Sequence, residues 1–208
     1  MHYVVISGSH KPESHAQSFK ISKWLADELE KSKGDDTTTD IISLSDNPYP
    51  LWDMSAWQKD SDLIKQMTPA LDRLTKADGL IIVSPEYHGM AAPGLKNFLL
   101  YVSAQHVGHK PCLLVSVSAS INGVYPITEL HSTGAKSNRM VFIPDHLIVR
   151  NAEKVMNDHE MVEGEIPDDL YIKKRALYSL NVLQAYTKSL KDMRAKTELL
   201  SSDYVFGM

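Results

Sequence analysis

Residues 80–97 read Leu-Ile-Ile-Val-Ser-Pro-Glu-Tyr-His-Gly-Met-Ala-Ala-Pro-Gly-Leu-Lys-Asn. The run 80–84 is apolar on consecutive residues rather than on alternate ones, which is the mark of a strand covered on both faces. Two prolines and two glycines then break the chain into an irregular loop. After that loop, Leu95, Phe98, Leu99 and Val102 return at helical spacing, giving an expected helix over 92–104. Strand, loop and helix in so short a stretch form one half of a β-α-β unit.

The same alternation extends in both directions. Short apolar runs recur at residues 3–7, 40–44, 113–117 and 140–143. Between them lie amphipathic segments. Ile21, Trp24, Leu25 and Leu29 share one helical face, as do Leu63, Ile64, Met67, Leu71 and Leu74, although Pro69 must kink that second helix or start a new one. Residues 123–137 give a weaker helical signal through Val124, Ile127 and Leu130, with Pro126 and Gly134 inside it. Ile172, Ala176, Leu177, Leu180, Leu183, Thr187 and Leu190 mark a long C-terminal helix, over about 170–200. Strands alternating with helices imply right-handed crossovers and one doubly wound parallel sheet, with helices on both faces. Ligands of such sheets bind outside the carboxyl ends of the strands, which directs attention to the loops 8–18, 85–93 and 118–123.

Composition excludes several classes. The 208 residues carry 26 acidic and 22 basic side chains, a formal charge of -4, and no basic stripe suited to a phosphate backbone, so no nucleic acid partner is expected. Cys112 is the single cysteine, which excludes an intrachain disulfide and multi-cysteine metal sites. No apolar stretch approaches the roughly 18 residues of a membrane helix, and no basic leader precedes the first run. A cytoplasmic chain with no membrane partner and no metal is expected. Residues 151–169 hold seven carboxylates and are expected to form a surface excursion before the last helix. The reading is therefore of one domain over 1–208, in which 151–208 is an acidic excursion plus a C-terminal helix. The tail ending Tyr204-Val205-Phe206 is expected to be free to contact a partner subunit.

The first loop reads Ser7-Gly-Ser-His-Lys-Pro-Glu-Ser-His-Ala-Gln-Ser18. At a strand-to-helix junction, backbone N–H groups and the helix dipole favour an anion such as phosphate. Ser9, Ser14 and Ser18 could add hydroxyl donors and Lys11 a charge. Neither G-x-G-x-x-G nor G-x-x-x-x-G-K-[ST] is present, so dinucleotide and nucleoside-triphosphate fingerprints are lacking. A second reading makes Ser14 a helix cap with Gln17 completing a capping box, since capping and phosphate binding use the same end of a helix. In the loop after the third run, Gly89 permits close approach by a flat ligand, and Tyr87 and His88 put planar side chains at the strand end. Together the two loops suit a mononucleotide with a flat ring.

Gly8-Ser9-x-Lys11-x-x-Ser14 resembles the G-S-x-R-x-x-S motif of the NADPH-dependent FMN reductase family, flavodoxin-like enzymes that include azoreductases and quinone reductases. Pro85-Glu86-Tyr87-His88, followed by Pro93-Gly94-Leu95-Lys96-Asn97, is similar to that family's P-E-Y-N and P-G-x-L-K-N signature. The resemblance covers about the first 150 residues. It implies a flavodoxin-like five-stranded parallel sheet of order 2-1-3-4-5 and FMN as cofactor, with Ser9, Lys11, Ser14 and Gln17 around the phosphate. Pro85, Glu86, Tyr87, His88 and Gly89 would follow the isoalloxazine ring, largely through backbone contacts, and Ser118 would close the far side with the loop 118–123. Catalysis would be centred on the flavin, with Tyr87 and His88 the candidate side chains.

The implied reaction is hydride transfer from NADPH or NADH to the flavin, then electron transfer to a small acceptor such as free flavin, a quinone, an azo compound or a metal ion. A homodimer or homotetramer is also implied, with the helix 92–104 as candidate interface. Three departures from the motifs stand out. Lys11 replaces an arginine fork with a point charge, Ala16 removes a polar group, and His88 replaces asparagine with a group able to titrate near neutral pH. The alternative is a non-enzymatic flavodoxin-like electron carrier. A hydrolase reading lacks the G-x-S-x-G elbow, and a metal reading on His106 and His109 lacks a carboxylate partner.

Overall fold

The computed structural model describes residues 1–32, 36–58, 60–161 and 167–200. Five parallel strands, β1 (His2–Ser7), β2 (Thr38–Ser43), β3 (Gly79–Tyr87), β5 (Pro111–Val117) and β6 (Val141–Val149), lie in the order β2-β1-β3-β5-β6. This is the expected 2-1-3-4-5 order once a sixth, two-residue strand is set aside. That strand, β4 (Met90–Ala91), pairs antiparallel with the end of β3 and was not foreseen.

The helices are α1 (Gln17–Lys31), α2 (Asp62–Lys76), α3 (Pro93–Tyr101), α4 (Ala104–Val107), α5 (Val124–Thr133) and α6 (Pro167–Lys196). Alternate strand residues feed two cores. Val4, Ile6, Leu80, Ile82 and Leu114 meet Met67, Leu71, Leu74, Leu95 and Phe98 on one face. On the other, Val5, Ile81, Val83, Leu113 and Val115 meet Ile21, Leu25, Leu29, Ala176, Leu180 and Leu183. Burial on both faces explains why the three central strands, β1, β3 and β5, read as unbroken apolar runs. No described helix is long and apolar enough to cross a membrane.

Several local expectations are corrected. Of the two alternatives at Pro69, a new helix does not start there: α2 runs through this exposed residue without a break. The helix expected over 92–104 stops at Tyr101, and α4 begins separately behind a Ser103–His106 capping box. The acidic excursion is more than a surface loop, because its described part buries Ala152, Val155 and Met156 against α6. Lys173, 1% exposed, anchors it through Nζ at 2.7 Å from Asp158 Oδ1, from Asp169 Oδ2 and from the Glu160 carbonyl. Glu163, Glu165 and the tail 201–208 lie outside the described residues.

A second buried lysine forms no ion pair among the described residues, and the charge of Asp78 only partly offsets its burial. Lys110 Nζ donates to the Leu74 and Thr75 carbonyls at the end of α2, both at 2.7 Å. Burial, reinforced by the nearby charge of Arg194, lowers its pKa to about 8, against about 10.4 in an unfolded chain. Between those values the unfolded chain binds more protons, so stability rises with pH across that window. Urea unfolding of Lys110→Met, followed from about pH 8 to about pH 10.4, is expected to show a flatter profile than the wild type. An unchanged slope would remove Lys110 as its source.

Candidate functional site

Three loops meet at the carboxyl ends of β1, β3 and β5. The chain leaves β1 through Gly8, whose N–H donates to the Val83 carbonyl at 2.8 Å; a Cβ there would sit 2.9 Å from that same oxygen. This tight exit places Ser9, which is buried, with its Oγ 3.2 Å from the Tyr87 hydroxyl and accepting from the Lys11 N–H at 3.2 Å. His10 Nε2 accepts from the Gly94 N–H at 3.0 Å, on the first turn of α3, so its ring is neutral with the proton on Nδ1. Burial lowers the pKa of His10, which favours that neutral state.

Helix α1 begins at Gln17 behind Ala16 with no side-chain cap, so its orphan N–H groups are left to outside acceptors. The capping box read from Ser14 and Gln17 does not form, because residues 13–15 make a separate 3-10 turn. That turn carries Ser14 away from the helix and sets its Oγ 2.9 Å from His15 Nδ1. Lys11 and Ser14 are exposed, Gln17 half-buried and Ser18 buried. On the outer side of this loop an open cavity of about 580 Å³ is lined by Glu13, Ser14, Ser43, Ser45, Asp46 and Pro48. Its two carboxylates make it a poor place for a phosphate, which leaves the helix start as the anion-friendly side.

The loop after β3 is a hairpin rather than an irregular excursion. His88 (φ 50°) and Gly89 (φ 74°) are its two turn residues, with Tyr87 paired to Met90 and Glu86 to Ala91. Two successive positive φ values are what a two-residue hairpin matching the strand twist requires, and Asn-Gly is the pair that adopts them most readily. His88 therefore stands at a position set by backbone conformation, with its ring exposed.

The hairpin is braced by α5 and α3. Glu129 Oε2 accepts from the Ala91 N–H at 2.8 Å and its Oε1 pairs with Lys96 Nζ at 2.7 Å, while Ser84 Oγ accepts from the Ala92 N–H at 3.2 Å. Asn97 holds the loop after β2, accepting from the Trp52 N–H and donating to the Pro50 carbonyl, both at 2.8 Å. Across the site, Ser118 Oγ donates to Glu86 Oε2 at 3.1 Å.

The structure thus gathers Ser9, Pro85, Glu86, Tyr87, His88, Gly89 and Ser118 around the two central loops. Gln17 is the first residue of α1, while Lys11 and Ser14 lie exposed in the loop ahead of it, Ser14 on the wall of the outer cavity. Reading the sequence missed His10, Asn97 and Glu129. The motif letters around Asn97 and Gly94 were a usable signal for two of these contacts; Glu129 had none.

The sheet order and crossovers define a flavodoxin-like α/β protein. Residues 1–154 match the family model described as NADPH-dependent FMN reductase, and the chain belongs to that family. It is accordingly an oxidoreductase of the FMN- and NADPH-dependent kind. It is 29% identical over 135 residues to an NADPH azoreductase of Bacillus sp. (strain OY1-2), covering 64% of this chain and 68% of that one. Over 156 residues it is 26% identical to an FMN-dependent NADPH-azoreductase of Staphylococcus aureus (strain USA300), covering 74% and 80%.

Among solved structures, an apo NADH:FMN oxidoreductase superposes with a TM-score of 0.61 at 18% identity, covering 90% of this chain and 89% of that one. An FMN-dependent NADH-azoreductase from Bacillus anthracis str. Ames Ancestor in complex with FMN does so at 0.53 and 14%, covering 92% and 98%. These two show the fold alone.

The residues present fit FMN. The start of α1 is uncapped, and two buried acceptors at the strand ends, Glu86 Oε1 and Ser116 Oγ, have no hydrogen-bond partner.

The hairpin turn gives a direct test of the backbone argument. A Cβ at Gly89 would find nothing closer than Tyr125 Cδ2 at 3.8 Å, so Gly89→Ala should cost only the left-handed backbone penalty, about 1–2 kcal/mol. His88→Asn should be neutral or slightly stabilising and His88→Val destabilising by a similar 1–2 kcal/mol, read from urea unfolding. Equal stabilities for the valine and asparagine variants would show that the turn does not constrain this position.

Proposed function

We propose that this chain is an FMN-dependent reductase that takes a hydride from NADPH or NADH and delivers electrons to a small acceptor such as a quinone or an azo compound, the latter being the acceptor class that the names of its Bacillus and Staphylococcus relatives give. The observation that carries the reading is the Ser9–Tyr87 contact, which joins the hydroxyl-rich loop at the open end of α1 to the hairpin after β3. One loop suits a phosphate and the other a flat ring, and they are held at a fixed separation.

In this reading Ser9, Lys11, Ser14 and Gln17 hold the phosphate with the first amides of α1. Pro85 to Gly89 follow the ring edge and Ser118 closes the other side. Bound FMN supplies hydride acceptance and electron delivery, so the protein's work is to orient, to exclude competing reactions and to tune the ring. Gly89 leaves the backbone bare where the ring must approach, and the brace from Glu129 and Asn97 keeps both flanking loops from drifting. Lys11 neutralises phosphate as a point charge.

A homodimer or homotetramer suits the exposed apolar rim around the strand ends, where Leu51, Met54, Trp57, Leu100 and Ile121 are all more than half exposed. Leu100 lies on α3, the candidate interface helix. A cytoplasmic location and a single domain over 1–208 complete the proposal.

Purified protein mixed with FMN is expected to turn yellow, to quench flavin fluorescence, and to oxidise NADPH when an azo dye or a quinone is added. A protein that stays colourless and takes up no added FMN overturns the reading; one that binds FMN without consuming NADPH or NADH favours an electron carrier. Tyr87→Ala should lower kcat/KM by about tenfold or more while shifting the melting temperature by only a few degrees.

A further inference from the structure

Glu86 is the one carboxylate among the described residues with a buried oxygen that lacks a hydrogen-bond partner. It sits at the carboxyl end of β3, beside Ser118 at the end of β5, and its two carboxylate oxygens differ sharply. Oε2 accepts from Ser118 Oγ at 3.1 Å. Ser118 is itself fixed, its N–H donating to the Val149 carbonyl at 2.9 Å and its carbonyl accepting from the Ala152 N–H at 3.1 Å. Oε1 is buried and has no partner. A buried carboxylate oxygen without a donor is costly, more so than a neutral acceptor. Two basic side chains from neighbouring elements are engaged elsewhere, Lys96 with Glu129 and Arg150 with the Asn122 carbonyl.

We propose that the free oxygen of Glu86 is the acceptor for the ring N3–H of bound FMN, so that the side chain, not only the backbone, of this residue positions the flavin and sets its reduction potential. The inference rests on the FMN reading above. Three points support it. The oxygen lies where open parallel sheets take their ligands. It needs a donor, and N3–H is the donor that the pyrimidine edge of an oxidised flavin offers. Its partner oxygen is locked by Ser118, which leaves the carboxylate little freedom to turn away.

A fixed negative charge beside the pyrimidine half opposes the negative charge that this half gains on two-electron reduction, because like charges in a poorly solvated site repel strongly. Glu86 therefore weakens binding of the reduced flavin relative to the oxidised one. That lowers the midpoint potential and makes the bound cofactor a stronger reductant.

The test uses the purified full chain with FMN and with 3-methyl-FMN, in which the N3–H is replaced by a methyl group. Dissociation constants come from flavin fluorescence, and folding of each variant is checked by circular dichroism. The wild type is expected to bind FMN about tenfold or more tightly than 3-methyl-FMN, and Glu86→Ala to bind both alike, as a double-mutant cycle requires of two groups in contact.

Glu86→Gln keeps an oxygen for Ser118 while removing the charge. It is expected to bind reduced FMN about tenfold more favourably relative to oxidised FMN than the wild type does, an upward shift of about 30 mV for two electrons. Equal discrimination against 3-methyl-FMN in wild type and alanine variant, or an unshifted potential in Glu86→Gln, overturns the proposal while leaving FMN binding intact. Failure of the wild type to bind FMN at all would instead strike the functional reading beneath it.

Discussion

The chain leaves β1 through a gap that only glycine fits. Gly8 bonds through its N–H to the Val83 carbonyl, and a side chain at that position would collide with the same oxygen. The first loop consequently starts flush against β3, and its next two side chains reach across to the second loop. Ser9 meets Tyr87, and His10 meets the N–H of Gly94, where a Cβ would lie 2.0 Å from the imidazole nitrogen. Two missing side chains let two loops from separate strands form one surface. A site assembled this way is held by the scaffold rather than by loop conformation alone, which is what precise placement of a cofactor demands.

The rest of the architecture serves to fix that surface. Parallel pairing brings every strand's carboxyl end to the same side, and the crossover helices that parallel pairing requires cover both faces. The motif after β3 then proves to be largely scaffolding. Gly94 admits His10, Leu95 is fully buried, Lys96 pairs with Glu129 of α5, and Asn97 clamps the loop after β2. Letters that resemble a ligand signature owe their spacing to what braces the ligand loops from behind. Edge strand β6 shows the same economy, since Pro144 and a register shift opposite Cys112 and Leu114 interrupt its ladder and so blunt an edge that could otherwise pair with another chain.

Legibility in the sequence followed burial. The central strands β1 and β5 were readable nearly to their ends because consecutive apolar residues mark two covered faces, whereas β3 runs on past 84 to Tyr87 and the edge strand β2, with one buried residue, was read as 40–44 but runs Thr38–Ser43. The last was read as 140–143 but runs Val141–Val149, since Pro144, Asp145 and His146 break the apolar run at the bulge. The stripe of α6 was readable because Ile172, Ala176, Leu180, Leu183 and Thr187 all face the sheet. The loop chemistry was readable only in part. Positive φ at both His88 and Gly89 makes a hairpin where two prolines and two glycines suggested irregular backbone. Ser14 and Gln17 have the spacing of a capping box, yet Ser14 sits inside the 3-10 turn of residues 13–15 and Ala16 takes the cap position of α1.

By itself the sequence determined the alternation of strands and helices, the double covering of the sheet, and the family to which the chain belongs. These rest on short-range periodicity and on motifs, and each is a property of residues close together along the chain. Only the tertiary structure decided which loops touch. The contacts Ser9–Tyr87, His10–Gly94 and Glu86–Ser118 span 78, 84 and 32 residues. Separations of that size carry no periodic signal. They exist because strand order places β1, β3 and β5 side by side, and because glycine at two junctions lets neighbouring loops close to hydrogen-bonding distance.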